Sequence, residues 1–212
     1  MVIAIDGPAG AGKSSVARAL AERLGFTYLD SGAMYRSVAL ACIERDVDPD
    51  DGSATGELAK SLSIVPGPGP VLLDGRDVSG EIRTERVTEV ASRVSVHPEV
   101  RQVMVEDQKE MIRSGRYVAE GRDIGTVVSP DSPLKVFLDA SPEVRAKRRA
   151  LEAGGEAETV RAAIEERDQR DSSRAHGRLE IASDAVELDT SDMEIDEVVE
   201  RIAELAIQRG IA

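Results

Sequence analysis

The residues best suited to chemistry lie in one run, Gly7, Pro8, Ala9, Gly10, Ala11, Gly12, Lys13, Ser14 and Ser15, of the form Gly-x-x-x-x-Gly-Lys-Ser. Glycines let a backbone curl until successive N–H groups point inward at phosphate oxygens, and a helix starting there adds the positive end of its dipole. Lys13 has the reach for the β- and γ-phosphates, and the Ser14 hydroxyl can ligate Mg²⁺. The flanks are the ones such a turn needs. Val2 to Ile5 is a β-branched strand ending just before it, and Val16 to Leu24 is a helix-forming run just after it. A glycine-rich helix cap is the plain alternative, and the strand–turn–helix context argues against it. The run predicts a bound nucleoside triphosphate with Mg²⁺.

The second chemical signal is arginine. The formal charge is −13, which excludes a broad nucleic-acid footprint. A protein this acidic that handles phosphate must concentrate its positive charge locally. Clusters at Arg145, Arg148 and Arg149 and at Arg167, Arg170 and Arg174 do so, and guanidinium forks grip phosphate bidentately. His97 and His176 read as loop residues, because phosphoryl transfer between nucleotides needs no histidine. Cys42, inside the apolar run Val38 to Ile43, reads as a core filler that can form no internal disulfide.

These groups must be carried by a scaffold. At 212 residues the chain can bury a real core. Alternating strand-like and helix-like runs predict an α/β fold with a parallel sheet. Five runs read as buried parallel strands: Val2–Ile5, Thr27–Leu29, Tyr117–Glu120, Lys135–Leu138 and Ala185–Leu188. Helices are predicted at Ser31–Ile43, capped by Asp30 or Ser31, and at Glu99–Ile112. Two more are predicted behind Ser141-Pro142 and over Ile195–Ile207. Asp46 to Thr84, rich in Pro, Gly and Asp, reads as a small antiparallel insertion turning at Pro66–Pro70. Ala153-Gly154-Gly155-Glu156 breaks two arginine-loaded helical runs and reads as a hinged flap. No apolar stretch is long enough to cross a membrane, and the first strand follows Met1 directly, so a cytoplasmic protein is expected. No exposed apolar face marks an interface, and a monomer is expected.

A phosphate-cradling turn does not name a reaction. A guanine switch would show an Asn-Lys-x-Asp motif, and this chain has no Asn at all. A transporter ATPase would show its own signature and a longer chain. A short chain with an arginine-rich flap fits phosphoryl transfer between nucleotides, where a mobile lid keeps water from the γ-phosphate.

Four further segments sharpen this: Asp30-Ser31-Gly32-Ala33-Met34-Tyr35-Arg36, Asp77 to Arg83, Glu120-Gly121-Arg122-Asp123-Ile124-Gly125-Thr126-Val127-Val128, and Arg167-Asp168-Gln169-Arg170-Asp171-Ser172-Ser173-Arg174. With the glycine-rich turn, they make the chain resemble the bacterial cytidylate kinase family over essentially its whole length. The resemblance implies one domain over residues 1–212, a three-layer P-loop kinase fold whose five-stranded parallel sheet has the order 2-3-1-4-5. It also implies a nucleoside-monophosphate-binding lobe at about 46–84, extending through helices to about 114, and a lid at about 145–174.

The implied activity is transfer of the γ-phosphoryl of ATP to CMP or dCMP. Ser31 and Arg36 would contact the acceptor nucleotide, with Arg36 and Arg122 on its phosphate. Ser92, Arg101 and Asp123 would face the cytosine ring. Arg167, Asp171 and Arg174, spaced along one helix face, would contact the acceptor, with Asp171 on the sugar hydroxyls. Glu120 would hold a Mg²⁺ water or pair with an arginine. Arg145, Arg148 and Arg149 either grip ATP from the flap or form a charged helix face. Arg148 is the one assigned a catalytic part, with Lys13 and Arg167. The base reading is chemically sensible, since cytosine offers an amino donor beside N3 and O2 acceptors. The inserted lobe, trimmed around Pro66–Pro70, and the short flap depart from the family pattern.

Overall fold

The computed structural model describes residues 1–67, 69–153 and 156–211. Pro68 of the expected turn and Gly154-Gly155 of the expected hinge lie outside the described residues. The chain divides into two compact units, Met1–Tyr28 with Ser114–Ala212, and Leu29–Arg113.

The first unit is built on a five-stranded parallel sheet. Its strands are β1 (Val2–Asp6), β2 (Thr27–Asp30, at the division of the chain), β6 (Tyr117–Gly121), β7 (Leu134–Asp139) and β8 (Val186–Asp189), in the order β2-β6-β1-β7-β8. Strands β3, β4 and β5 belong to the inserted unit, so counting the five alone gives the expected 2-3-1-4-5. β1 pairs in parallel with β6 and β7, and all five of its residues are buried. That is why Val2 to Ile5 reads as an unbroken apolar run and does not alternate. β8 corrects the sequence expectation. It pairs with β7 alone, and its residues alternate between half-buried and exposed. An edge strand has only one neighbour to cover it.

Helices α1 (Lys13–Leu24) and α8 (Ile195–Gln208) pack on each other beside this sheet. Leu20, Ile202 and Val198 from the helices meet Ile3, Ile5, Val118, Val136 and Leu138 from the strands in one cluster. Each such side chain contributes roughly 1.5–3 kcal/mol on leaving water. α6 (Pro142–Ala153) and α7 (Ala157–Ser173) pack on one another. As expected, Pro142 opens α6 behind Ser141, whose hydroxyl accepts the Val144 amide at 3.3 Å.

The second unit holds α2 (Ser31–Glu44), α3 (Gly52–Ser61), a three-stranded antiparallel sheet, α4 (Glu85–Val94) and α5 (Pro98–Ile112). The sheet runs β3 (Ile64–Pro66), β4 (Val71–Leu73) and β5 (Arg76–Asp77). The predicted antiparallel insertion is present, and its first strand begins at Ile64, after α3 has ended at Ser61. Two helices and a strand were also not foreseen. β4 and β5 are joined by Asp74-Gly75, both at positive φ (50° and 82°), which matches the right-handed twist of a hairpin. α3 packs tightly on α5 at Gly56, where a Cβ would come within 2.5 Å of Glu99 Cβ. Cys42 is buried on α2, and burial pushes its thiol up to about 11, as befits a core filler.

Candidate active site

The glycine-rich turn joins β1 to α1 with Gly7, Gly10 and Gly12 all at positive φ. Gly7 is irreplaceable on geometry alone, since a Cβ there would lie 2.0 Å from the Leu138 carbonyl oxygen. Lys13 begins α1 yet is only 7 % exposed. Its ammonium donates to the Pro8 carbonyl at 2.6 Å, folding the side chain back over the loop. Burial, with Arg122 and Arg167 adding repulsion, lowers its pKa from 10.5 to about 7, while Glu120 and Asp168 pull the other way. A buried lysine ringed by guanidinium groups marks a place where anionic charge is stabilised. Ser14 and Ser15, next along α1, are exposed.

A second set of side chains in the same unit surrounds Asp171, which is 1 % exposed near the end of α7. Arg122 Nε donates to Asp171 Oδ2 at 2.9 Å, and Arg174 pairs with Asp171 Oδ1. Burial disfavours the Asp171 anion, but Arg122, Arg174 and Arg167 more than offset it and hold the carboxyl below the usual range. The expected spacing is slightly revised. Arg174 is the residue that caps α7, with extended backbone (φ −57°, ψ 145°), so it reaches Asp171 from beyond the helix.

Asp123 is buried where β6 gives way to a π-helical turn, Ile124–Val128. That turn is held by Asp6, at the end of β1, which accepts from the Ile124 and Gly125 amides at 2.8 and 2.7 Å. Burial raises the Asp6 pKa to about 6 against these two hydrogen bonds, and nearby Asp123 adds to the rise. Gly125 is small because a Cβ would sit 3.3 Å from Asp6 Oδ2 and 3.2 Å from Lys135 Cδ. Asp6 was not foreseen as a site-organising residue. Its only signal was a carboxylate ending an otherwise apolar strand.

In the second unit, Asp30 caps α2 by accepting the Ala33 amide at 2.8 Å and pairs with Arg36 at 2.9 Å. Ser31, the first helical residue, is buried. Of the two caps predicted, Asp30 is the one observed. Gly32 leaves room for this pair, since a Cβ would come 2.9 Å from Arg36 Nη1. Ser92 on α4 and Arg101 on α5 are both buried, and the Arg101 guanidinium lies 5.8 Å from the centroid of the Tyr35 ring. His97 precedes α5, and a ring nitrogen is 2.8 Å from the Pro49 carbonyl oxygen; His176 lies in a loop. Both are the loop residues expected.

The three flap arginines differ. Arg145 is buried and donates Nη1 to the Ala9 carbonyl at 3.0 Å and Nε to the Ala140 carbonyl at 3.2 Å. It therefore holds backbone, which neither sequence alternative anticipated. Arg148 donates to Thr190 Oγ1 at 2.9 Å and to the Thr190 carbonyl at 2.6 Å. It lines a cavity of about 580 Å³ with Gly12, Ser15, Thr190, Met193 and Ile195. The segment from Thr190 to Glu194 is not singled out by the sequence, as it carries no lysine or arginine. Arg149 is half-buried on α6.

For a divalent metal, the candidate donors are the exposed Ser14 hydroxyl and buried Glu120, which accepts from the Tyr28 hydroxyl and lies close enough to Lys13 to raise its pKa. Among the described residues no three His, Cys, Asp or Glu side chains converge as a metal cage. One hydroxyl and one carboxylate fit Mg²⁺, which keeps several waters and takes its other oxygens from substrate phosphates.

A parallel sheet of this order, the cradle after its central strand and an arginine-rich helix pair define a P-loop kinase. The fold is shared with shikimate kinase from Bacteroides thetaiotaomicron (TM-score 0.52, 15 % identity, 98 % of each chain) and with a gluconokinase from Sinorhizobium meliloti 1021 (TM-score 0.51, 17 % identity, 98 % and 94 %). The chain belongs to the cytidylate kinase family, whose sequence profile matches residues 3–208. It is 47 % identical to a cytidylate kinase of Mycobacterium leprae (strain Br4923) over 99 % of this chain and 97 % of that one. It is 46 % identical to a cytidylate kinase of Limosilactobacillus fermentum over 95 % and 93 %. Among the described residues, no helix is long and apolar enough to cross a membrane.

Proposed function

We propose that this protein transfers the γ-phosphoryl group of ATP to CMP or dCMP, giving the diphosphate and ADP, in the cytoplasm. The observation that carries this reading is the set of cations around the cradle, Lys13 with Arg122 and Arg167, in a chain so similar to cytidylate kinases over nearly its full length. The cradle amides and Lys13 hold the β- and γ-phosphates. The donor nucleoside occupies the cavity beside Gly12, Arg148 and Thr190. Arg36 and Arg122 hold the acceptor phosphate, Asp171 its sugar hydroxyls, and Arg167 and Arg174 support that grip. Ser92, Arg101 and Asp123 read the cytosine edge, and Ser31 contacts the acceptor at the start of α2.

Catalysis then rests on alignment and electrostatics. Lys13 and Arg167 neutralise charge that spreads over the transferring group, and Arg148 serves from the donor side. Ser14, and Glu120 through a water, would hold Mg²⁺, which would supply further neutralisation of the phosphate charge. The attacking phosphate is already anionic at neutral pH, so no side chain has to act as a general base.

The test is ADP release measured with CMP, dCMP, UMP, AMP and GMP in turn. CMP and dCMP should run fastest, and water alone should give little ADP. UMP or AMP outrunning both would remove the cytidine assignment. Undiminished ADP release without any monophosphate would point to a hydrolytic switch instead.

A further inference from the structure

A turn containing three glycines is loose by composition, yet a phosphate cradle works only if its amides are already aimed. One ion pair holds it. Asp168 Oδ1 accepts from the Ala9 amide at 3.0 Å, and its other oxygen pairs with Arg145 Nη1. The same Arg145 nitrogen donates to the Ala9 carbonyl at 3.0 Å. Both polar groups of the Ala9 main chain are thus taken by two partners that are themselves joined. Arg145 also forms the wall behind Gly10, where a Cβ would lie 2.7 Å from the Arg145 carbonyl oxygen. Its side chain is 10 % exposed and that of Asp168 15 %, so water competes little for either.

The position of Asp168 along α7 gives this contact a consequence for the reaction. It follows Arg167, whose charge acts on Lys13, and precedes by three residues Asp171, which is fixed to Arg122. We propose that Asp168 is a positioning residue: it locks the cradle to α7, so that Ala9, Lys13 and Arg167 keep one fixed geometry. This rests on the phosphoryl transfer proposed above. It adds a residue that touches neither nucleotide yet sets the alignment on which the rate depends. Misplacement of reacting groups by about 1 Å can cost on the order of a hundredfold in rate.

The experiment is steady-state kinetics at saturating ATP and CMP on Asp168→Asn, Asp168→Ala, Arg145→Ala and the Asp168→Asn/Arg145→Ala double variant, with thermal unfolding of each. Asn can still accept the Ala9 amide but presents N–H groups to Arg145, so it breaks the pair without emptying the space. The expected result is a ~10-fold fall in kcat for Asp168→Asn and ~100-fold for Asp168→Ala in folded protein. The double variant should fall no further than the worse single one, because the pair acts as a unit. Should the alanine variants fail to fold, Asp168→Asn decides alone, or Arg145→Lys if that too fails, since lysine cannot hold Ala9 and Asp168 with a planar fork. A kcat within twofold of wild type, with only the unfolding temperature lowered, would make the pair structural and overturn the proposal. An inactive wild type would instead sink the proposed reaction, so the two failures are told apart.

Discussion

Arg122 Nε donates to Asp171 Oδ2 at 2.9 Å, tying the end of β6 to the end of α7 across 49 positions of sequence. Arg174 closes on the other carboxylate oxygen, and the side chains are 15 %, 1 % and 6 % exposed for Arg122, Asp171 and Arg174. Two guanidinium groups on one buried carboxylate leave an excess of positive charge, which supports the proposed phosphate-binding part of Arg122. Asp171→Ala removes the carboxylate that both cations share, and breaking a buried pair costs about 3–5 kcal/mol. Denaturant unfolding should show a loss of that size, and one below about 1 kcal/mol would mean that solvent already screens the cluster. Because the folded carboxyl is held low, its contribution is present above the unfolded pKa of 3.8 and is lost as pH falls through the folded value.

Lys13 gives the same direction of pH dependence in a higher window. Its folded pKa of about 7 lies below the unfolded 10.5, so between these values the unfolded chain holds a proton that the folded one lacks. Stability from this residue therefore rises with pH across that window. A bound triphosphate restores the ammonium, so binding an ATP analogue at pH 8 should draw protons from solution. Calorimetry in two buffers of different ionisation enthalpy should give uptake approaching ~1 proton per site, absent in Lys13→Ala. The same variant should lose ~10²-fold or more in turnover. No uptake, or turnover within tenfold of wild type, would place Lys13 outside the phosphate cradle.

What was legible in the sequence was what is contiguous in it. The cradle is one run of residues flanked by its own strand and helix, so its fold and chemistry could be read together. Asp30 announced α2, and Ser141-Pro142 announced α6. The misses have physical causes. α3 contains Gly52 and Gly56, residues that weaken an isolated helix, and it is stabilised by packing on α5 at Glu99. α4 does carry a helical signal, with Val87, Val90, Ala91 and Val94 on one buried face behind a Thr84 cap. The Asp74-Gly75 hairpin turn also left its usual signal. The Ala9–Asp168 contact left none, because 159 positions separate two residues that only the tertiary fold brings together.

Gly7 tests the cradle's fit to its neighbours. Its φ of +150° is one that side chains rarely adopt, and a Cβ would press on the Leu138 carbonyl oxygen, backbone that cannot rotate away. Gly7→Ala should therefore cost about 3 kcal/mol or more, combining strain and overpacking. Denaturant midpoints would measure it, and Gly25→Ala serves as the control, with positive φ (+65°) but nothing within 4 Å. Equal losses in the two would assign the cost to φ alone and leave the Leu138 contact without weight.

The base-reading proposal is tested most sharply at Asp123 and Arg101. Both are buried, where an unmatched polar group is costly. On that proposal, Asp123 would accept from the cytosine amino group. Uracil presents a carbonyl at that position, leaving two acceptors facing each other. Asp123→Ala removes the feature that separates the two bases, so kcat/KM for CMP should fall much further than that for UMP. The expected loss of discrimination is about 1–3 kcal/mol, roughly ten- to a hundredfold. Arg101→Ala should weaken both substrates together, because each pyrimidine keeps its O2 acceptor. The Tyr35 ring beneath Arg101 adds a second arm. Tyr35→Leu removes the π-face that holds the guanidinium and should weaken CMP and UMP alike by a few-fold. A proportional loss for CMP and UMP in Asp123→Ala would show instead that this carboxylate orients neighbouring groups such as Arg122, and that discrimination between the bases resides elsewhere.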